Sequence, residues 1–325
     1  MSPEFTSPSR AFIHEALFYA GPDSFLEGTV PFLREGVAGG EAILVVESAA
    51  KIEMLRSELG RDAESIVFAD MAEVGANPAR IIPAWQDFVS RYAGSGRRLR
   101  GIGEPIWKGR SPEELVECQR HESLLNVAFA DGEPWYLLCP YDTDALPDDV
   151  IEEARRSHAF TTDGKEHNQS TSFRGVEESG APFAAPLPEP RTQVQRLDFS
   201  LDELIVVRAL AGRYATAAGL SSQRAANFVM AVNEVATNSL HHGGGKGSLR
   251  IWQEAGKLTC EIVDAGRYDH PLADRERPTP GTMGPRGLWL CNQLCDLLQI
   301  RSEPSRTVFR LHMRRPIGQR PGLAN

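Results

Sequence analysis

Residues 161–192, TTDGKEHNQSTSFRGVEESGAPFAAPLPEPRT, constrain this chain more than any other stretch. Proline, glycine, serine and threonine crowd it, and no apolar period of 2 or 3.6 residues survives. One core does not continue through such a segment. The 325-residue chain therefore reads as two domains, 11–160 and 194–315, joined by a flexible linker over 161–193.

The flanks carry different patterns. In the first, the apolar runs EAILVVES (41–48), RLRGIGEPIW (98–107) and PWYLLCPYD (134–142) are separated by helix-like stretches. Ser111, Pro112 and Glu114 mark one helix start: an N-cap, a proline at the first position and a capping-box glutamate. Strands alternating with helices predict an α/β domain with a mainly parallel sheet. In the second flank a short strand at 195–199 precedes two helices, the first capped by Ser200. A hairpin turned at Gly256, a helix over 286–296 and a last hairpin follow. Helices on one side of an antiparallel or mixed sheet make an α+β sandwich.

The formal net charge is -9 and no Lys/Arg block occurs, which argues against direct nucleic-acid binding. No stretch approaches the roughly 18 apolar residues that span a bilayer, so no membrane partner is expected. The opening MSPEFTSPSRAF lacks a secretory pattern, and the five scattered cysteines suit reduced thiols. The expected location is the cytoplasm. Cys291 and Cys295, one helical turn apart beside leucines, read as core residues.

Three polar features stand out in the second domain. Winding 221–243 as a helix puts Phe228, Val232, Val235, Ala236 and Leu240 on one face and Asn227, Met230, Glu234, Asn238 and His241 on the other. A plain solvated face usually mixes in Lys or Arg, and this one has no cation between Asn227 and His242. In KLTCEIVDAG, alternation aligns Leu258, Cys260, Ile262 and Asp264; the carboxylate is either ligand-facing or the start of a turn with Gly266. Gly281, Gly284 and Gly287 precede an apolar helix, where backbone amides and the helix dipole favour an anion.

The order Glu-x-x-x-Asn, Asp-x-Gly, then a glycine-rich helix start resembles the Bergerat (GHKL) ATP-binding fold. Residues 194–315 look like the anti-sigma-factor serine kinases of the RsbW and SpoIIAB type. The resemblance implies ATP and Mg²⁺ as cofactors. It gives Asn238 the metal, Glu234 the role of general base, Asp264 the adenine amino group, and Gly266 the close approach of the base. Gly284 and Gly287 would cradle phosphates, with Arg275, Arg277 and Arg286 in reach of a γ-phosphate. The implied partners are a sigma factor and an anti-anti-sigma (STAS) protein, and a homodimer is usual. The sequence departs from the wider superfamily after Gly266, where Arg267 and Tyr268 replace a second glycine.

The first domain resembles the stretch that follows the P-loop in RecA/KaiC-like ATPases, yet residues 1–30 hold no P-loop. HEALFY (14–19), GEPIW (103–107), ECQRHESLLN (117–126) and CPYD (139–142) look like the MEDS sensory domain. MEDS joined to an RsbW-like kinase is the layout of RsbA-family regulators, which implies a small organic ligand at the first domain. Glu104 ends a strand, where open α/β sheets place ligand contacts. His14, Trp107, His121 and Tyr141 are the other pocket candidates, with His121 also readable as a half-buried core histidine. Cys118-x-x-His121 with Cys139 and His14 forms an incomplete zinc pattern. The whole is thus expected to be a sensor-controlled serine/threonine kinase that sequesters a sigma factor. The alternative is a protein that acts by sequestration alone, with or without ATP.

Overall fold

The computed structural model describes residues 12–254, 256–278 and 286–315, which divide into compact units at Phe183/Ala184. In the first unit the chain runs β1 (Ile13–Tyr19), α1 (Gly21–Ala38), β2 (Ala42–Glu47), α2 (Ala49–Leu59), β3 (Ile66–Asp70), α3 (Met71–Val74), α4 (Ile81–Tyr92) and β4 (Leu99–Gly103). It continues through α5 (Pro112–Ala128), β5 (Trp135–Asp142), α6 (Asp148–Ser157), β6 (Phe160–Thr162) and β7 (His167–Gln169). The sheet order is β3-β2-β4-β5-β1-β6-β7, parallel throughout except for the terminal β7. Helices α1 and α2 pack together, and α4 packs on α5, which packs on α6, giving a layer on each face. Right-handed crossovers require this: β1 to β2 to β3 steps toward one edge, and β3 to β4 to β5 steps back. Strands β2, β4 and most of β5 are buried along their length, as a sheet covered on both faces demands. The Ser111–Glu114 capping box forms as expected.

The second unit runs β8 (Gln195–Phe199), α7 (Leu204–Ala217), α8 (Ser222–His242), β9 (Gly247–Glu254), β10 (Lys257–Asp264), α9 (Arg286–Leu294), β11 (Leu297–Glu303) and β12 (Arg306–Arg314). Its sheet, β11-β12-β10-β9-β8, is antiparallel at every pairing. One core joins Phe228, Val232 and Val235 of α8 to Leu258, Cys260 and Ile262 of β10, with Cys291 and Cys295 inside it. All five cysteines are buried. No helix among the described residues is long and apolar enough to cross a membrane.

Two expectations need correction. The linker stretch is not structureless. Its first part supplies β6 and β7, and Arg174 clasps Glu153 of α6 through both carboxylate oxygens. Its last part crosses the outer face of the second sheet, where Arg301 and Arg310 donate to the carbonyls of Ala185 and Pro188. Short edge strands and side-chain-held straps need no apolar period, so composition alone hid them. Ser200 does not cap α7. Both its backbone N–H and its hydroxyl donate to Glu203, and the helix begins after that turn.

Candidate functional site

Helix α8 is launched by Ser221, whose hydroxyl accepts from the Arg224 N–H, and runs 21 residues without a break. Its apolar face is buried, while Glu234 and Asn238 stand half-buried one turn apart. The first turn of α9 lies against them. A Cβ built on Gly287 would meet Glu234 Oε2 at 2.9 Å and Asn238 Nδ2 at 3.1 Å. Only a residue without a side chain lets the α9 backbone amides come this close to both polar groups.

Asp264 lies at the end of β10. It is 9% exposed, on the face with Leu258, Cys260 and Ile262. Its Oδ1 accepts from the Gly266 N–H at 2.8 Å, so the carboxylate faces inward and also starts the turn with Gly266. The turn is tight. A Cβ on Gly243 would come within 2.4 Å of the Asp264 carboxyl carbon, and one on Gly266 within 2.7 Å of the His242 carbonyl. Thr307 donates to the Gly266 carbonyl and fixes it. A buried carboxylate with one oxygen held by a backbone amide has the other available to a ligand donor. An open groove of about 650 Å³, lined by Asp264, Ala265, Phe199 and Lys246, adjoins this end of β10.

The segment after Gly266 is anchored. Tyr268 donates to Asp274, and Asn292 of α9 donates to the Asp274 side chain and carbonyl. Arg275, a sequence candidate for phosphate contact, is 1% exposed beside Asp274. Arg286 stands exposed at the start of α9. Gly281 and Gly284 lie outside the described residues. His241 is exposed in the last turn of α8.

The first unit carries a second constellation at the carboxyl ends of β1, β2 and β4. Helix α2 follows β2 on one face and α5 follows β4 on the other, so a crevice opens between these neighbouring strands. Tyr19 donates to Glu104 at 3.0 Å, and Lys51 of α2 contacts both the Tyr19 hydroxyl and the Glu104 carboxylate. Glu47 is 1% exposed beside them. Burial, then the charge of Glu104, pushes the Glu47 carboxyl well above the usual range. Burial also raises Glu104, against the pull of Lys51. Only Ala20 separates β1 from α1, leaving no loop between them to cradle phosphates.

Because the folded state raises Glu47, it holds a proton that the unfolded chain releases near pH 4.3. Stability from this group is complete below that pH and is lost as pH rises through the folded value. Glu47→Gln should therefore gain melting temperature over the parent at pH 8 and gain little or nothing at pH 5. Parallel curves at both pH values would refute the assignment.

The five sensory candidates do not form one pocket. Glu104 belongs to the strand-end cluster. His14 and Tyr141 instead lie around the buried His158, with ring centroids 3.9 Å and 5.6 Å from it. Trp107 stacks at the surface under the Arg110 guanidinium, 3.7 Å away. His121 is buried in α5. The incomplete zinc pattern dissolves as drawn, since Cys118 donates to the Pro105 carbonyl. Sequence reading passed over Tyr19, Glu47, Lys51, Glu122 and His158. The available signal was a glutamate ending the buried run EAILVVE, with a lysine one helical turn beyond it.

The second unit is thus an α+β sandwich in which the start of α9 meets Glu234 and Asn238 of α8, and in which Asp264 is buried at the end of β10. Residues 197–313 match the histidine kinase-like ATPase domain family. Residues 13–159 match the MEDS family, the MEthanogen/methylotroph, DcmR Sensory domain. The chain is a MEDS domain followed by a histidine kinase-like ATPase domain, a pairing consistent with the RsbA-like regulators it resembles. Among solved structures, the RsbU and RsbW domains of Rv1364c from Mycobacterium tuberculosis are similar at 17% identity and a TM-score of 0.30. That match covers 38% of this chain and 34% of that one, about a third of the other chain's length. No curated protein matches the chain.

Proposed function

We propose that the second domain binds Mg-ATP between α8, the end of β10 and the start of α9, and passes the γ-phosphoryl to a serine of an anti-anti-sigma (STAS) partner. The same domain sequesters a sigma factor, and a small-molecule ligand at the first domain controls it. The observation that carries this reading is the meeting of Glu234 and Asn238 with the backbone of Gly287. These groups fit the reaction. Asp264 accepts from the adenine amino group, and Gly266 leaves room for the base. Asn238 holds Mg²⁺, which neutralises phosphate charge when bound. Glu234 takes the proton of the attacking serine hydroxyl. Gly287 and the exposed Arg286, with Gly284 as a further proposal, hold the phosphates at the α9 N-terminus. The RecA/KaiC-like layout of the first domain, the homodimer and the cytoplasmic location belong to the same proposal.

Gly287→Ala isolates the geometry. The added methyl displaces the ends of two flexible side chains, so stability should change by no more than about 1 kcal/mol, helped by helix propensity. Mg-nucleotide affinity should fall roughly tenfold, the worth of one disturbed hydrogen bond to charge. Urea unfolding and nucleotide titration separate the two effects.

A second reading, capture without phosphotransfer, draws on Leu201, Ile205 and Val206, apolar side chains exposed around the start of α7. Such a surface serves partner binding whether or not chemistry follows. Incubation with γ-labelled Mg-ATP and the STAS partner decides. Acid-stable label on the partner supports the kinase; a bound but unlabelled partner leaves capture alone.

A further inference from the structure

Four donor atoms converge inside the first unit, none of them from the Tyr19, Glu47, Lys51 and Glu104 cluster. They are His14 Nε2 on β1, Glu122 Oε2 on α5, Cys139 Sγ on β5 and His158 Nε2 just past α6, all within 4.8 Å of one another. His14 Nε2 is 3.1 Å and His158 Nε2 3.3 Å from Glu122 Oε2, and Cys139 Sγ is 3.4 Å from His14 Nε2. A tetrahedron with bonds of about 2.0–2.3 Å has edges of roughly 3.3–3.8 Å, close to these separations. None of the four residues is more than 1% exposed.

The outer atoms of both rings fix what the inner atoms are. Asn126 donates its Nδ2 to the Ser157 carbonyl at 2.8 Å, which turns its Oδ1 toward His14 Nδ1 at 3.2 Å. His158 Nδ1 lies 2.8 Å from the Ala154 carbonyl. Each Nδ1 therefore faces an oxygen that only accepts, and so carries the proton. Each neutral ring then turns an Nε2 lone pair inward. This is the outer-shell pattern of metal-ligating histidines. Within the cluster, two imine nitrogens and a carboxylate oxygen face one another, an arrangement that repels itself unless a cation lies between them. Glu122 Oε1 and His158 Nε2 have no hydrogen-bond partner among the described residues. A divalent ion with one thiolate, one carboxylate and two neutral imidazoles sums to zero charge, the form in which a buried site costs least.

We propose that His14, Glu122, Cys139 and His158 form a transition-metal site, of zinc type by its mixed nitrogen, sulfur and oxygen donors. Binding expels the Cys139 thiol proton to solvent as the metal–sulfur bond forms. Four protein ligands fill the tetrahedron, so the site is structural or regulatory, and no position is left open for hydrolytic chemistry. The ion ties the first strand of the domain to the end of its last long helix.

The full-length chain, stripped with chelator and dialysed against Co(II), tests this. One cobalt per chain is expected, with tetrahedral visible bands and a thiolate-to-cobalt charge-transfer band in the near ultraviolet, both abolished by Zn(II). Cys139→Ser should lose the charge-transfer band, and His158→Gln should weaken binding at least 100-fold. Cys118→Ser should match the parent. Zinc X-ray absorption on the unmodified protein covers the case of variants that do not fold: one sulfur at about 2.3 Å and three lighter donors at about 2.0–2.1 Å are expected. Absence of stoichiometric metal in the parent, a zinc shell without sulfur, or an unchanged band in folded Cys139→Ser would overturn the proposal.

Discussion

Glu234→Gln is expected to lower phosphotransfer by about 10²–10⁴-fold while nucleotide affinity changes little. Glutamine matches the glutamate in size, so the packing of α8 against Gly287 survives. What disappears is the ability to accept a proton from the nucleophile. General bases contribute in this range because proton transfer accompanies attack, whereas in the proposed site nucleotide binding would use the metal, the base pocket and the amides of α9. Single-turnover transfer to the STAS partner reads the rate, and titration reads the affinity. Equal loss of both would show that Glu234 holds the nucleotide and is not a base. Loss of neither would place the chemistry elsewhere.

Asp264→Asn has the largest expected effect on affinity, a drop of roughly 10–100-fold for both Mg-ATP and Mg-ADP. Asp264 Oδ1 already accepts from Gly266 N–H, so the turn dictates which atom the new side chain directs there. With the amide oxygen on Gly266, the amide nitrogen faces the ligand, and a donor meets the adenine amino donor. An unpaired buried polar group then opposes binding. Guanine nucleotides, which present a carbonyl at that position, should lose far less. Equal loss for adenine and guanine nucleotides would indicate a collapsed pocket.

Much of the second domain was legible because its elements are amphipathic. The 3.6-residue stripe of α8 and the alternation of β10 each report one buried face, and Glu234, Asn238 and Asp264 stand out as polar groups at the edges of those patterns. The first domain conceals more. Its central strands are buried on both faces, so a buried glutamate at a strand end, such as Glu47, interrupts no alternation. Helix α5 is buried around much of its circumference, which erases the stripe that would have ranked its polar residues. Sequence reading chose His121, yet Glu122, one residue and about 100° further round the helix, enters the cluster with His14. His158 follows α6 and reaches His14 only because β6 pairs beside β1, a long-range fact no local pattern carries.

The central claim is that the second domain holds a nucleotide, and calorimetric titration of the full-length chain with Mg-ATP and Mg-ADP tests it most directly. The account predicts one site per chain with micromolar affinity, weakened in Asp264→Asn. No heat and no competition with a fluorescent nucleotide analogue would contradict it, and would leave the second domain as a capture surface built on an ATPase scaffold.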